Sequence, residues 1–174
     1  MNIKETIATI NQMHADGVIG RYAIGGAVGA ALYRVEVDPT DDVDVYVVLN
    51  PSPGQLLVSL DLIHNYLDAR GCQLNTEGFS VVAGWKVQFL PADKPLLKEA
   101  LEESIEKNVD DVNMRVFALE HLAAIAFDLG RPKDKIRLFR FLDSEDFDES
   151  RFSEILKRHD LVDRWLKFKK NILD

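Results

Sequence analysis

The chain has a single cysteine, Cys72, in 174 residues, so no internal disulfide can form and the fold must rest on its core. No apolar run reaches the roughly 18 to 20 residues that span a bilayer, because Asp or Arg breaks each stretch. Met1 does not open a charged n-region followed by an apolar h-region. The expectation is a cytoplasmic protein with no membrane role. His14, His64, His121 and His159 show no His-x-x-x-His spacing and have no cysteine partner, which argues against zinc. His64 and His121 read as surface or packing residues, and Cys72 as a small core residue. Positive charge is also scarce. The net charge is −8, and residues 1–95 hold 6 Lys+Arg against 11 Asp+Glu, while residues 96–174 hold 15 against 18. This balance disfavours non-specific nucleic-acid binding and leaves only the second half able to present a basic face. There is no internal repeat and no low-complexity segment.

What is present is 47% hydrophobic residues in a clear order. Ile3, Ile7, Ile10 and Met13 recur at helical spacing and predict a first helix over 2–15. Arg21 to Ile24 is β-compatible, Gly25-Gly26 is a turn, and Ala27 to Tyr33 suits a short helix. Asp42 to Leu49 has the β-branched content of a central strand, closed by Asn50-Pro51-Ser52-Pro53-Gly54. Gln55 to Ala69 predicts a helix; Gln73 to Thr76, Phe79 to Val82 and Trp85 to Leu90 predict strands. Beyond Pro95 the pattern predicts a helix over 96–107, a β-like stretch at 112–117, and helices over 120–129, 133–142, 151–158 and 161–171. Asp148 and Asp160 are the expected N-caps of the last two. The expected class is α/β (α+β): a mixed sheet flanked by helices, with 1–95 as core and 96–174 as a mainly helical part packed on it, in two domains or one.

The chemistry concentrates in one constellation. Residues i and i+2 of a strand share a face, so the carboxylates of Asp42 and Asp44 lie side by side while Val43 and Val45 enter the core. Two adjacent ionised carboxylates repel, and a hard divalent cation with oxygen ligands relieves the repulsion. Magnesium, or manganese, leaves open positions for substrate phosphates. Gly25-Gly26 supplies the complement, because a backbone without Cβ lets amides approach a phosphate closely at the start of a helix.

Ile24-Gly25-Gly26, Arg34, Thr40 and Asp42-Val43-Asp44-Val45 resemble the Gly-Gly, Thr-x-Asp-x-Asp pattern of the DNA polymerase beta-type nucleotidyltransferase superfamily. Val87-Gln88-Phe89-Leu90-Pro91, Glu120-His121-Leu122 and Gly130-Arg131-Pro132-Lys133-Asp134 look like its AbiEii-like branch, which includes toxin-type members. The resemblance implies a nucleotidyltransferase-type sheet with a helical C-terminal part. It implies Asp42 and Asp44 as metal ligands and catalytic residues, and Gly25, Gly26, Arg34, Thr40, Gln88, Lys133 and Arg137 as substrate-binding positions. It further implies a nucleoside triphosphate as donor, RNA or protein as acceptor, and an antitoxin-like partner. The pattern departs from relatives at two points: Gln88 stands where many active members carry a third carboxylate, and Ala126 or Phe127 where toxin-like relatives carry a lysine. A neutral amide cannot accept a proton. The residues therefore leave two readings, a nucleotidyltransferase or a nucleotide- or partner-binding module of the same fold.

After Pro132, the spacing puts Lys133, Arg137 and Arg140 on one helix face, and Ile136, Phe139 and Leu142 on a largely apolar one. The cationic face could meet a triphosphate or an RNA backbone, or be an ordinary solvated face. Arg164, Lys167, Lys169 and Lys170 read as charge offsetting the dipole of the last helix.

Overall fold

The computed structural model describes residues 1–49, 60–73, 75, 78–109 and 111–173. Among them the elements run α1 (Ile3–Ala15), β1 (Tyr22–Ile24), α2 (Gly26–Ala31), β2 (Asp42–Val47), α3 (Asp61–Asp68), β3 (Ser80–Val82), β4 (Trp85–Pro91), α4 (Pro95–Glu102), β5 (Ile105–Val109), β6 (Val112–Val116), α5 (Leu119–Leu129), α6 (Pro132–Leu142), α7 (Glu149–Arg158) and α8 (Val162–Leu173). The six strands form one mixed sheet in the order β3-β4-β2-β1-β6-β5. β2 pairs antiparallel with β1 and parallel with β4, and β1 continues parallel to β6.

The sheet divides two cores. Val43, Val45 and Val47 pack with Ile7, Ile10 and Met13 of α1 and with Ile63 and Leu67 of α3. The opposite face meets α5, whose residues from Leu119 to Phe127 are all buried, together with Phe141 of α6 and Phe152, Ile155 and Leu156 of α7. Each such side chain withdrawn from water contributes about 1.5–3 kcal/mol, so β2 is fixed by its valines, and Asp42, Asp44 and Tyr46 are thereby assigned to the α5 face. No helix among the described residues is long and apolar enough to cross a membrane.

Most predicted elements are present, with three corrections. The helix expected over 96–107 ends at Glu102, and Ile105–Val109 forms edge strand β5, paired antiparallel with β6; its mostly exposed side chains had masked the strand. Asp148 caps α7, accepting a hydrogen bond from the Arg151 amide at 3.0 Å. Asp160 does not cap α8. It takes a left-handed φ of 56° just after α7, and Leu161 offers the carbonyl that Trp165 N–H bonds at 2.9 Å. In α6 the buried face is Asp134, Leu138 and Phe141, whereas Ile136 and Phe139, expected on an apolar face, are exposed. The closing turn at 50–54, the first part of the helix expected from Gln55, and Leu74 and Thr76 of the strand expected from Gln73 lie outside the described residues.

Candidate active site

β2 delivers Asp42 and Asp44 to one face, and the register with parallel β4 sets Asp42 beside Lys86 and Asp44 beside Gln88. Gln88 is therefore the cross-strand neighbour of Asp44, on the same face. On the other side β1 runs into the glycine turn, where the Gly25 amide donates to the Asp44 carbonyl at 3.0 Å. This bond holds the turn against the strand.

The turn needs both glycines. Gly26 has φ +56°, and a Cβ there would overlap Oδ2 of Asp44 and lie 2.9 Å from its Cγ. The Asp44 carboxylate thus sits directly against the Gly26 backbone. A Cβ on Gly25 would come within 2.6 Å of the Tyr46 ring, which packs on Phe117 at 4.9 Å between centroids. α2 has only six residues, so its dipole is small, and close backbone approach is what the turn chiefly offers an anion.

Asp42, Asp44, Tyr46 and Gln88 line a cleft of about 440 Å³ together with Arg131, Lys133 and Arg137 from the α5–α6 turn and α6, Asp128 at the end of α5, and Lys94 before α4. Burial, and next the neighbouring Asp42 charge, raise the Asp44 carboxyl above its ordinary range, while Arg137, Lys133 and Arg131 pull it down. Burial and Asp44 likewise push the Tyr46 phenol up to about 12. Here is an acid pair that gains from a cation, bordered by cations that suit an anion. Thr40 orients the pair from outside the cleft: its hydroxyl hydrogen-bonds Oδ1 of Asp42 and accepts from the Asp42 amide at 3.3 Å.

Among the sequence-predicted site residues, Asp42, Asp44, Gln88, Lys133 and Arg137 line the cleft, and Gly26 lines the adjoining space beside Asp44. Arg34 is not brought to it. It is exposed, with φ +58°, beyond the far end of α2, whose six residues span about 9 Å. Arg140 turns away to the Glu36 carbonyl (2.9 Å) and to Asp38 (3.8 Å). Sequence reasoning did not single out Arg131, Asp128 or Lys94. Arg131 had a signal in its spacing from Asp134, whose buried carboxylate it grips at 2.5 and 3.2 Å so that the guanidinium stays at the rim.

A second group lies on α4 and α5. Glu99, Glu103 and His121 place ligand atoms within 4.8 Å of one another, a set that could bind a divalent cation. The helical spacing of Glu99 and Glu103 was visible in the sequence, but His121 joins them only through packing. Positive charge already reaches this group: Arg158 bonds Glu99 at 2.6 Å, Arg151 bonds Glu103 at 2.9 Å, and His159 Nε2 lies 2.8 Å from Glu99. His121 is fully buried, its Nε2 is 3.1 Å from Glu99, and its Nδ1 has no partner among the described residues. Burial lowers the His121 pKa, so the neutral ring donates from Nε2. The Arg158 hydrogen bonds, with those of His121 and His159, hold the Glu99 carboxyl down at about 2.

The consequence for stability has a definite sign. A carboxylate depressed in the folded state stabilises above its unfolded pKa, near 4.5, and that stability is lost as pH falls towards 2. The lowered His121 pKa acts in the same direction from about pH 6.5 downward. Glu99→Gln is expected to lower stability by on the order of 2 kcal/mol at pH 7, after allowance for the half-exposed Arg158. Urea unfolding should show the gap between the two proteins narrowing as pH falls below about 4.5 and closing only below about pH 2; a gap independent of pH would mean that Glu99 acts by packing alone.

No family model matches the sequence, and no curated protein matches it. Solved structures do. The chain is similar to an antigenic nucleotidyltransferase-like protein from Paracoccidioides brasiliensis, at 15% identity and a TM-score of 0.55, covering 92% of this chain and 90% of that one. It is similar also to the solution structure of the antibiotic-resistance factor ANT(2'')-Ia, at 14% identity and a TM-score of 0.52, covering 95% of this chain and 94% of that one. At such identities the likeness is one of architecture, and it shows that this mixed sheet with its flanking helices is a nucleotidyltransferase-like fold.

Proposed function

We propose that the cleft binds a nucleoside triphosphate with a divalent metal and transfers its nucleotidyl group to a hydroxyl of an RNA or protein acceptor. The observation that carries this reading is the Asp44 carboxylate set against the Gly26 backbone, with Asp42 on the same strand face and Arg131, Lys133 and Arg137 around the same cleft.

The donor set fits a hard cation. Two carboxylates share one face, one of them is buried enough that its charged form is disfavoured, and Gln88 adds a neutral side-chain oxygen alongside. Asp42 and Asp44 would hold Mg²⁺ or Mn²⁺, which when bound neutralises phosphate charge and lowers the pKa of a nearby hydroxyl. The chain's own groups do the positioning. Gly25-Gly26 lets the backbone approach the phosphates, Lys133 and Arg137 offset triphosphate charge from the α6 side, and Thr40 keeps Asp42 in its orientation. The wall of buried Leu96 and Ile125 with half-buried Tyr46 limits water at the reacting end.

The finer assignment to the AbiEii-like branch, as a cytoplasmic toxin-type enzyme restrained by an antitoxin-like partner, is part of this proposal. It rests on the likeness of Val87-Gln88-Phe89-Leu90-Pro91, Glu120-His121-Leu122 and Gly130-Arg131-Pro132-Lys133-Asp134 to that branch. A second reading, nucleotide or partner binding without turnover, is favoured by Gln88 beside Asp44. Incubation with the four labelled triphosphates, Mg²⁺ or Mn²⁺, and total cell RNA and protein separates the two. Label that reaches a macromolecule from the wild type but not from Asp44→Asn supports transfer; triphosphate binding by calorimetry with no transfer supports the binding module. For the toxin assignment, expression is expected to slow growth, and Asp44→Asn to relieve it. Equal inhibition by the variant would refute a catalytic toxin.

A further inference from the structure

We propose that Asp128 accepts the proton of the incoming hydroxyl, in place of the strand carboxylate whose position Gln88 occupies. This rests on the transferase reading above.

Nucleotidyl transfer needs the attacking hydroxyl to lose its proton, and a positioned base with a free oxygen hastens that step by roughly 10²–10⁴-fold. The described carboxylates lining the cleft are Asp42, Asp44 and Asp128. The first two share one face of β2 and would be taken up in holding the metal. Gln88, next to Asp44, has no lone pair basic enough for the task. Asp128 enters from a different element, the last turn of α5, before the left-handed Gly130 that ends the helix.

Its setting is that of a held group. Arg164 of α8 donates from Nη1 to Asp128 Oδ1 at 3.1 Å, and from Nη2 to the Asp128 carbonyl at 2.7 Å and to the Phe127 carbonyl. The guanidinium thus closes the C-terminal end of α5 and fixes one carboxylate oxygen at once. Arg164 serves the end of α5 rather than the dipole of its own helix. Oδ2 of Asp128 takes no hydrogen bond among the described residues. A carboxylate that lines the cleft, held through one oxygen and with the other left without a hydrogen bond among the described residues, has what a general base requires.

In the step, Asp128 Oδ2 takes the proton from the acceptor hydroxyl. The hydroxyl oxygen uses the freed electron pair to bond the α-phosphorus. The bond between that phosphorus and the bridging oxygen breaks, and pyrophosphate leaves with its electron pair. The carboxylic acid then returns its proton to solvent, and Arg164 holds the side chain in place throughout.

The test compares wild type, Asp44→Asn, Asp128→Asn and the double variant Gln88→Asp/Asp128→Asn, with labelled triphosphates, Mg²⁺ and total cell RNA and protein as the acceptor pool. Calorimetry with the magnesium triphosphate complex gives the second readout. Asp128→Asn is expected to slow transfer at least 100-fold with triphosphate affinity changed less than twofold, and Gln88→Asp to restore at least tenfold of the loss. Transfer by Asp128→Asn within threefold of wild type, while Asp44→Asn is inactive, overturns the assignment of Asp128 and leaves the site intact. A fall in affinity as large as the fall in rate would make Asp128 a binding or structural residue instead. Wild type that transfers nothing, or Asp44→Asn that transfers normally, overturns the transferase reading itself.

Discussion

Asp44→Asn is expected to abolish nucleotidyl transfer, by at least 10²-fold, and at the same time to raise the stability of the metal-free protein. The two effects share a cause. Asp44 is half-buried beside Asp42, and the desolvation together with the neighbouring charge raises its folded-state carboxyl above the unfolded value, so ionising it works against folding. A raised carboxyl contributes most to stability below the unfolded pKa and loses that contribution as pH rises through the folded one. The asparagine variant should therefore gain over wild type as pH rises, by roughly 1 kcal/mol at neutral pH, the usual scale of relief at a functional site. That corresponds to about 2–4 °C in melting temperature for a chain of this size. Magnesium with a triphosphate should reverse the order, since a ligand bound by the native wild type stabilises it and the variant lacks a ligating charge. Scanning calorimetry in EDTA and in magnesium triphosphate checks both. A variant less stable than wild type in EDTA would make Asp44 a structural acceptor, contrary to the site proposed.

Gly26→Ala is the second large effect, and it runs through geometry. The position sits at φ +56°, where an alanine costs about 1–2 kcal/mol. The added methyl would also occupy the place of the Asp44 carboxylate, and the close fit adds roughly another 1–3 kcal/mol. The chain can relieve the overlap by swinging Asp44 aside, which destroys the pairing with Asp42. Denaturant unfolding is expected to show a loss on the order of 3 kcal/mol, and triphosphate binding to fall with it. Gly71→Ala makes the control: it shares a positive φ of 77° but has nothing within 4 Å of the added atom, so strain without overlap should leave binding unchanged. Equal binding losses in the two variants would show that backbone strain, rather than collision with Asp44, disturbs the site.

The acid pair was legible in the sequence because strand periodicity is a local rule. Val43, Val45 and Val47 needed burial, and once they face α1 and α3 the carboxylates have only one side left. The Gly25-Gly26 turn was legible for a similar reason, as few residues besides glycine tolerate such backbone. Arg34 fared otherwise. It belongs to the same stretch of pattern, but it lies past the far end of a helix that spans about 9 Å, and only the length and direction of α2 could reveal that. β5 was hidden because an edge strand exposes most of its side chains and so loses the alternation that marks a strand.

Lys133 and Arg137 show the boundary between the two kinds of knowledge. Their spacing put them on one face of α6, as did that of Arg140, yet whether the face met solvent or phosphate depended on how α6 docks beside the sheet. The Arg131–Asp134 clamp and the burial of Leu138 and Phe141 turn the first two into the cleft, while Arg140, a turn further on, reaches Glu36. The sequence alone determined the acid pair and its glycine turn, since each follows from the backbone geometry of a few consecutive residues, while the weight placed on the neutral Gln88 came from the family resemblance. Tertiary structure decided that Gln88 neighbours Asp44, that Asp128 and Arg131 join the cleft from α5 and the turn after it, and that Glu99 meets His121 and His159. Those contacts join residues far apart in the chain, and the packing of buried apolar faces, which no local spacing encodes, sets their distances.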